Sequence, residues 1–216
     1  MKEFYNLLFK QLENLFFLNE EEKQIINKYS INTNERFLYN CIHIKNKYYE
    51  NLLGLSPYHS CQYTMFLYML SNTIFKAEQN CIKICDKIYN LSKIVSGADI
   101  YYEINLPEIF MFDHPTGTVL GRAEYSDGFS FSQGCSVGNN KGIYPKFGKN
   151  VALMANSTVL GNCRIGDNVI ISANTYIKDT DIPDYSIVFG SDKNLIIKEF
   201  RKEKSMNFFN AMFKEM

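Results

Sequence analysis

The stretch Phe147–Ile177 reads FGKNVALMANSTVLGNCRIGDNVIISANTYI, and its rhythm decides the fold. Every sixth residue is apolar: Phe147, Leu153, Val159, Ile165, Ile171 and Ile177. Midway between successive members stand Asn150, Asn156, Asn162, Asn168 and Asn174. A period of six belongs neither to a helix (~3.6) nor to a simple strand (~2). It belongs to a chain that coils in short strands and turns its corner at the same place each time, a parallel β-solenoid. Asparagine suits such corners because it tolerates left-handed backbone angles and bonds its neighbouring backbone.

Working outward, the rhythm starts loosely at Ile100, Leu106 and Phe112, slips by one residue, and resumes at Val119, Tyr125, Phe131 and Val137. The segment Gly138–Lys146 (GNNKGIYPK) is too long for one hexad and is expected to bulge outward as a loop. The clean run is expected to end near Pro183. Asn194–Lys198 (NLIIK) then reads as a closing strand, and residues 205–216 as a short amphipathic helix that packs on a neighbour. Such caps protect the open end of a solenoid.

Upstream of Ser96-Gly97 the texture is helical. Phe4, Leu7, Leu8, Leu12, Phe16 and Phe17 form one stripe, and Asn19 followed by Glu20-Glu21-Glu22 marks a helix start with acids at the positive end of the dipole. Further helices are expected over Asn34–Leu53, closed by Gly54 and Pro57, then Tyr58–Phe75 and Gln79–Ile94. Residues 63–70 are apolar nearly all round, which requires burial in a bundle or at a subunit contact. The fold class is therefore α+β: a helical domain over 1–96, a solenoid over 97–197 and a tail over 198–216.

Bulk properties bound the function. Lys plus Arg equals Asp plus Glu, 23 each, which argues against a dedicated nucleic-acid or anionic-membrane surface. No apolar run approaches the ~18–20 residues of a membrane span. The first residues, MKEFYNLLFKQLENLF, carry acids and amides through their apolar stretch, unlike a signal peptide. Six cysteines at positions 41, 61, 81, 85, 135 and 163 show neither a disulfide framework nor zinc spacing. Cys81 and Cys85 read as core filling. A cytoplasmic protein with reduced thiols and no metal is expected.

The middle of the chain resembles the serine acetyltransferase branch of the hexapeptide-repeat acyltransferases. The matching residues are Ala98-Asp99-Ile100, Asp113-His114-Pro115-Thr116-Gly117, Gly121, Tyr144-Pro145-Lys146, Leu160-Gly161-Asn162, Ile165-Gly166-Asp167-Asn168 and Ser172-Ala173-Asn174. The D-H-x-T-G segment is the most discriminating of them. The resemblance implies a left-handed β-helix with three hexads per turn and homotrimers with active sites between subunits. A hexamer formed through the helical domains is compatible with the apolar helix at 63–70. It also implies acetyl transfer from acetyl-CoA to the hydroxyl of a small molecule.

On that resemblance His114 is the general base, since imidazole can accept a proton near neutral pH. The other two histidines, His43 and His59, sit in the helical half with no catalytic context. Asp99 matches the carboxylate that pairs with the base, fixing its tautomer; the alternative is a helix-to-coil cap. Asp113 matches a residue lining the acceptor pocket, against the alternative of an exposed turn acid. Ala155 and Ala173 match small turn residues beside the CoA arm, and Lys178 is placed to reach a phosphate.

One departure matters. The family has an Arg-His pair before the Pro-Lys that follows the loop, where this chain has Ile143 and Tyr144, in a loop about two residues shorter. A guanidinium partner for a carboxylate is thereby lost from that place, whereas Tyr144 can donate a hydrogen bond and its flat face suits a sugar. Serine and a sugar hydroxyl both stand as acceptors, and a non-catalytic trimeric solenoid is the competing class. A zinc hydratase on the same solenoid would need three converging histidines, and His114 is the only one there.

Overall fold

The computed structural model describes residues 1–50 and 52–214. Its helical half comprises α1 (Lys2–Leu15), α2 (Glu20–Lys28), α3 (Ser30–His43), α4 (Ser60–Ala77) and α5 (Ile82–Ser96). The start of α2 is a capping box: the Glu22 N–H donates to Asn19 Oδ1 (2.8 Å) and the Asn19 N–H to Glu22 Oε2 (3.0 Å). The centre is α4, buried on every side from Cys61 to Ile74. Phe4, Leu8 and Leu12 of α1, Phe37 of α3 and Ile84, Ile88 and Leu91 of α5 belong to the same core. Of the two settings expected for the apolar stretch at 63–70, the structure shows burial within the bundle of its own chain. Cys85 is buried and Cys81 half-buried. Among the described residues no helix is long and apolar enough to cross a membrane, and no group of side chains could hold a metal.

The helix expected over Asn34–Leu53 ends ten residues early. Ile44 leaves α3 to form a β-bridge with Phe213. Around it the Lys45 N–H donates to the Met212 carbonyl and the Lys214 N–H to the His43 carbonyl, both 2.8 Å. Helix propensity yields here to a contact with the far end of the chain. At the other boundary Gly97 ends α5 in the left-handed region (φ 70°), its N–H closing on the Lys93 carbonyl at 2.9 Å. Polar groups inside α4 then fasten the first coil. Tyr68 donates its hydroxyl proton to the Ile104 carbonyl (2.6 Å), and Asn72 Nδ2 donates to that of Tyr102 (2.7 Å).

The remainder is a parallel β-solenoid. Its strands run β1 (Asp99–Ile100), β2 (Phe110–Phe112), β3 (Val119–Leu120), β4 (Phe129–Phe131), β5 (Ser136–Gly138), β6 (Lys146–Phe147) and β7 (Val151–Leu153). They continue with β8 (Thr158–Leu160), β9 (Arg164–Ile165), β10 (Val169–Ile171), β11 (Tyr176–Lys178), β12 (Ser186–Phe189) and β13 (Ile196–Glu199). They stack into three sheets: β1-β3-β5-β8-β11, β2-β4-β7-β10-β12-β13, and β6-β9. Val151 pairs with Val169, Thr158 with Tyr176 and Lys146 with Arg164, each eighteen residues on, which is three hexads per turn. The six apolar hexad residues that open the reading are at most 3% exposed.

Asn150, Asn156, Asn168 and Asn174 turn the corners with φ of 55–60°. Asn150 Nδ2 donates to Asn168 Oδ1 (3.1 Å) and Asn156 Nδ2 to Asn174 Oδ1 (3.4 Å), so the corners form amide ladders. Asn162 departs from the series: Gly161 takes the left-handed position (φ 80°), and the Asn162 N–H donates to Asp179 Oδ1. A second departure is at β3, where Leu120 rather than Val119 points inward; Val119 is 46% exposed. The loop after Gly138 does bulge. Gly138 pairs with Leu160 twenty-two residues on, four more than a full turn, and Asn140 and Ile143 exchange both backbone hydrogen bonds.

The solenoid continues past Pro183 through β12, which is parallel to β10, and β13 closes it antiparallel to β12. The C-terminal helix is α6 (Lys202–Met212); residues 215–216 of the expected helix lie outside the described ones. Its packing surface is its own solenoid. With Phe200, it lays Phe209 on Ala152 and Ile170, residues on the outer face of the second sheet. The outward residues there, Met111, Ser130, Ala152, Ile170 and Ile187, are small or apolar, and this helix is their cover.

Candidate active site

His114 stands on the corner between β2 and β3. Six residues (113–118) make this corner, where four suffice between β4 and β5 (132–135), β7 and β8 (154–157) and β10 and β11 (172–175). The corner is pinned at both ends. The Asp113 N–H donates to the Phe131 carbonyl (2.9 Å) and the Gly117 N–H to that of Gly97 (3.0 Å). The two extra residues therefore loop outward, and His114 is forced to a left-handed φ of 53°. Histidine tolerates that region better than most residues, as the asparagines do at the other corners. The imidazole is 80% exposed, with Nε2 3.7 Å from Asp113 Oδ1.

Ala155 and Ala173 occupy the same edge of the solenoid, one turn apart. The Asn174 N–H donates to the Ala155 carbonyl and the Asn156 N–H to that of Gln133, both 2.9 Å. Ala155 is half-buried and Ala173 exposed, so the edge beside them is low, with main chain near its surface. Lys178 is not with them: it ends β11, exposed, at the next edge beside Asp179.

Asp99 and Tyr144 meet elsewhere. They line a cleft of about 380 Å³ on the first sheet, with Tyr101, Val119 and Arg122. The Asp99 carboxylate is spoken for: Tyr89 donates its hydroxyl proton to Oδ1, and Lys93 Nζ lies 2.8 Å from Oδ2. Partial burial pushes this carboxyl up, but the bonds from Lys93 and Tyr89 outweigh it and hold it below the usual range. In one chain, then, Asp99 is bonded to α5 and makes no recorded contact with His114. Tyr144 rides on the bulged loop, where Asn139 Nδ2 approaches its hydroxyl at 3.5 Å.

Two groups of residues escaped the reading of the sequence. Arg122 is one. The other is a cluster at the start of α4, where His59 has a context after all. Its ring lies 4.9 Å from that of Tyr48, and His59 Nδ1 and Tyr49 Oη are buried with no hydrogen-bond partner among the described residues. Burial lowers the His59 pKa, and the nearby charge of His114 lowers it further. Burial raises the neighbouring Cys61 thiol, partly offset by the backbone of His114. Only the tertiary fold, not spacing, brings these residues beside Asp113-His114. On the other flank, Asp113 opens onto a groove of about 230 Å³ walled by Ser130, Ser132, Met154 and, from α6, Phe208 and Met212.

Comparison with known proteins places this geometry. Residues 144–179 match the family model described as bacterial transferase hexapeptide (six repeats). A serine acetyltransferase of Staphylococcus epidermidis is 31% identical over 120 residues, covering 53% of this chain and 56% of that one. The chain thus spans about half the length of the curated relatives it matches. Among solved structures, serine acetyltransferase from Vibrio cholerae superposes with a TM-score of 0.70 at 18% identity, over 85% of this chain and 73% of that one. A serine acetyltransferase in complex with CoA gives 0.68 at 20%, over 82% and 74%. These structural likenesses extend across both halves of the chain and concern its fold.

Proposed function

We propose that this chain, which carries the hexapeptide-repeat left-handed β-helix of the serine acetyltransferase-like family, is an acetyl-CoA-dependent O-acetyltransferase. The observation that carries the reading is the lengthened corner. It lifts a solvent-accessible imidazole off a solenoid edge that carries Gln133 one turn on and Ala155 and Ala173 on the two turns after it. The low stretch at Ala155 and Ala173 suits the pantetheine arm, which can there approach the main chain. The likeness to a CoA-bound serine acetyltransferase supports the same donor.

In this reading His114 takes the proton of the acceptor hydroxyl as its oxygen attacks the thioester carbonyl. The tetrahedral intermediate collapses with cleavage of the C–S bond, and the imidazolium returns its proton to the departing CoA thiolate. A positioned base of this kind contributes roughly 10²- to 10⁴-fold. Asp113 lies beside the acceptor. Asp99 lies on β1, its N–H bonded to the Thr118 carbonyl of the His114 corner (2.8 Å), and on release from Lys93 and Tyr89 it orients the imidazole. Tyr144 lies in the cleft on the first sheet, and a homotrimer with shared sites brings it to the base of a neighbouring protomer. Tyr144 then supplies a hydrogen bond to the developing oxyanion, and Lys178 a partner for a CoA phosphate. Tyr101 and Tyr144, flat phenols on the cleft wall, keep a sugar hydroxyl beside serine as an acceptor.

The test is release of free CoA, followed with a thiol reagent, from acetyl-CoA and a panel of hydroxyl acceptors. Acceptor-dependent release that falls by two orders of magnitude or more in His114→Ala supports the reading. A folded protein that releases no CoA with any acceptor is instead a non-catalytic solenoid.

A further inference from the structure

We propose that Arg122 is the anchor for a carboxylate on the acyl acceptor, which makes the acceptor a hydroxy acid rather than a neutral sugar. The proposal rests on the acyltransferase reading and adds to it the acceptor class and the residue that selects it. The cleft it concerns holds charges of both signs, so what matters is which charge is unspent. Asp99 is not free, since Lys93 and Tyr89 occupy its two oxygens. Arg122 is. Its Nη2 donates one hydrogen bond, to Glu103 Oε2 at 2.8 Å, and its side chain is 61% exposed. A guanidinium carries five N–H donors in a planar fork, so most of this one remains available at the cleft rim, beside Tyr144.

The rest of the cleft agrees. Ile104, Val119 and Leu120 give it an apolar floor that makes no demand on a polar ligand. The Tyr144 hydroxyl stands near the guanidinium and can share a bound carboxylate oxygen. The Glu103 carboxylate, on Nη2 through one oxygen, shows that the guanidinium takes a carboxylate here, and a ligand carboxylate can use the rest of the fork with both its oxygens. A cation thus returns to the Tyr144 cleft from the bend after β3, although residues 143 and 144 are Ile and Tyr.

Calorimetric titration of the full chain, with CoA present, tests this without needing turnover. The probes are L-serine, L-homoserine, glycerate and the uncharged L-serinamide. Loss of a charge-assisted hydrogen bond corresponds to about 10- to 100-fold in affinity. At least one carboxylate probe should bind, L-serine about that much more tightly than L-serinamide, and Arg122→Gln should erase the preference. Glu103→Gln, which frees the fork, should strengthen it. The proposal is overturned if no carboxylate binds, if serine and serinamide bind alike, or if the preference survives Arg122→Gln. It is also overturned if Arg122→Gln weakens acetyl-CoA but not its 3′-dephospho form, since the charge would then serve CoA. Arg122-dependent serine binding without CoA release would leave the anchor standing and remove the acyltransferase reading.

Discussion

Replacing Asn168 tests whether the corners specify the solenoid. This residue has φ 60° and accepts a hydrogen bond from Asn150 Nδ2 at 3.1 Å. Asn168→Ala keeps the Cβ, so it removes two things together. The hydrogen bond is worth about 0.5–1.5 kcal/mol, and its loss leaves Asn150, whose Oδ1 has no partner among the described residues, with an unsatisfied amide. Holding alanine in the left-handed region costs about 1–2 kcal/mol more. The expected loss is therefore about 2–3 kcal/mol. Asn168→Gly separates the two terms. It loses the same hydrogen bond and about 0.4–1 kcal/mol through the freer unfolded chain, but pays no steric cost at positive φ. Glycine should thus be more stable than alanine by about 1 kcal/mol, the reverse of their order in an ordinary strand. Urea unfolding at one protein concentration, followed by far-UV circular dichroism because the chain has no tryptophan, reads both values. If alanine equals or exceeds glycine with an unchanged m-value, the corner argument is wrong.

Two further predictions concern the flanks of the site. Asp99 titrates below the usual carboxylate range when folded, so its stabilising contribution is full above the unfolded pKa and is lost as pH falls through the folded one. In Lys93→Met the remaining burial acts with less opposition, the carboxyl titrates higher, and the acid limb of stability moves to higher pH. Urea midpoints measured from roughly pH 3 to 6 check this, and an unmoved limb refutes the pairing. Phe209 is 3% exposed against Ala152, Ile170 and Phe200, so Phe209→Ala should cost about 3 kcal/mol, the low end for a buried phenylalanine. A loss under about 1 kcal/mol would show that α6 is not firmly seated.

What the sequence made legible follows from repetition. A triangular coil asks each hexad for one inward apolar residue and one residue that tolerates a left-handed corner, so the demand is written many times over. Single slips do not hide it: at Gly161-Asn162 the left-handed role moves by one residue and the ladder loses one amide, while the apolar series runs on. Where nothing repeats, the sequence is silent. The early end of α3 depends on Phe213, and the neighbourhood of His59 depends on how α4 meets the first coil. Arg122 had no spacing to announce it, since its meaning comes from a loop that folds back over the sheet. The seat of α6 did leave a trace. Met111, Ser130, Ala152, Ile170 and Ile187 repeat on one face, while the first sheet shows Ser136, Thr158 and Tyr176 at its outward positions. An outward residue that cannot face water asks for a cover.

The separation of the site into two places within one chain has a consequence for mixed assemblies. His114 projects from one edge, whereas Arg122 and Tyr144 share a cleft on the first sheet. If a working site joins the edge of one protomer to the cleft of the next, no single chain needs both. Consider a base-dead variant, His114→Ala, and a cleft-dead variant, Arg122→Glu with Tyr144→Phe, each inactive in CoA release. Co-expressed in equal amounts and assembled at random into closed rings, they place an intact edge against an intact cleft at about one boundary in four. The mixture should recover about a quarter of wild-type CoA release. Mixing the two after separate purification should restore activity only as fast as protomers exchange. If each site were built within one chain, every site in the mixture would carry a lesion and nothing would return. Recovery near zero, with mixed rings shown by differently tagged protomers purifying together, would refute the shared-site arrangement.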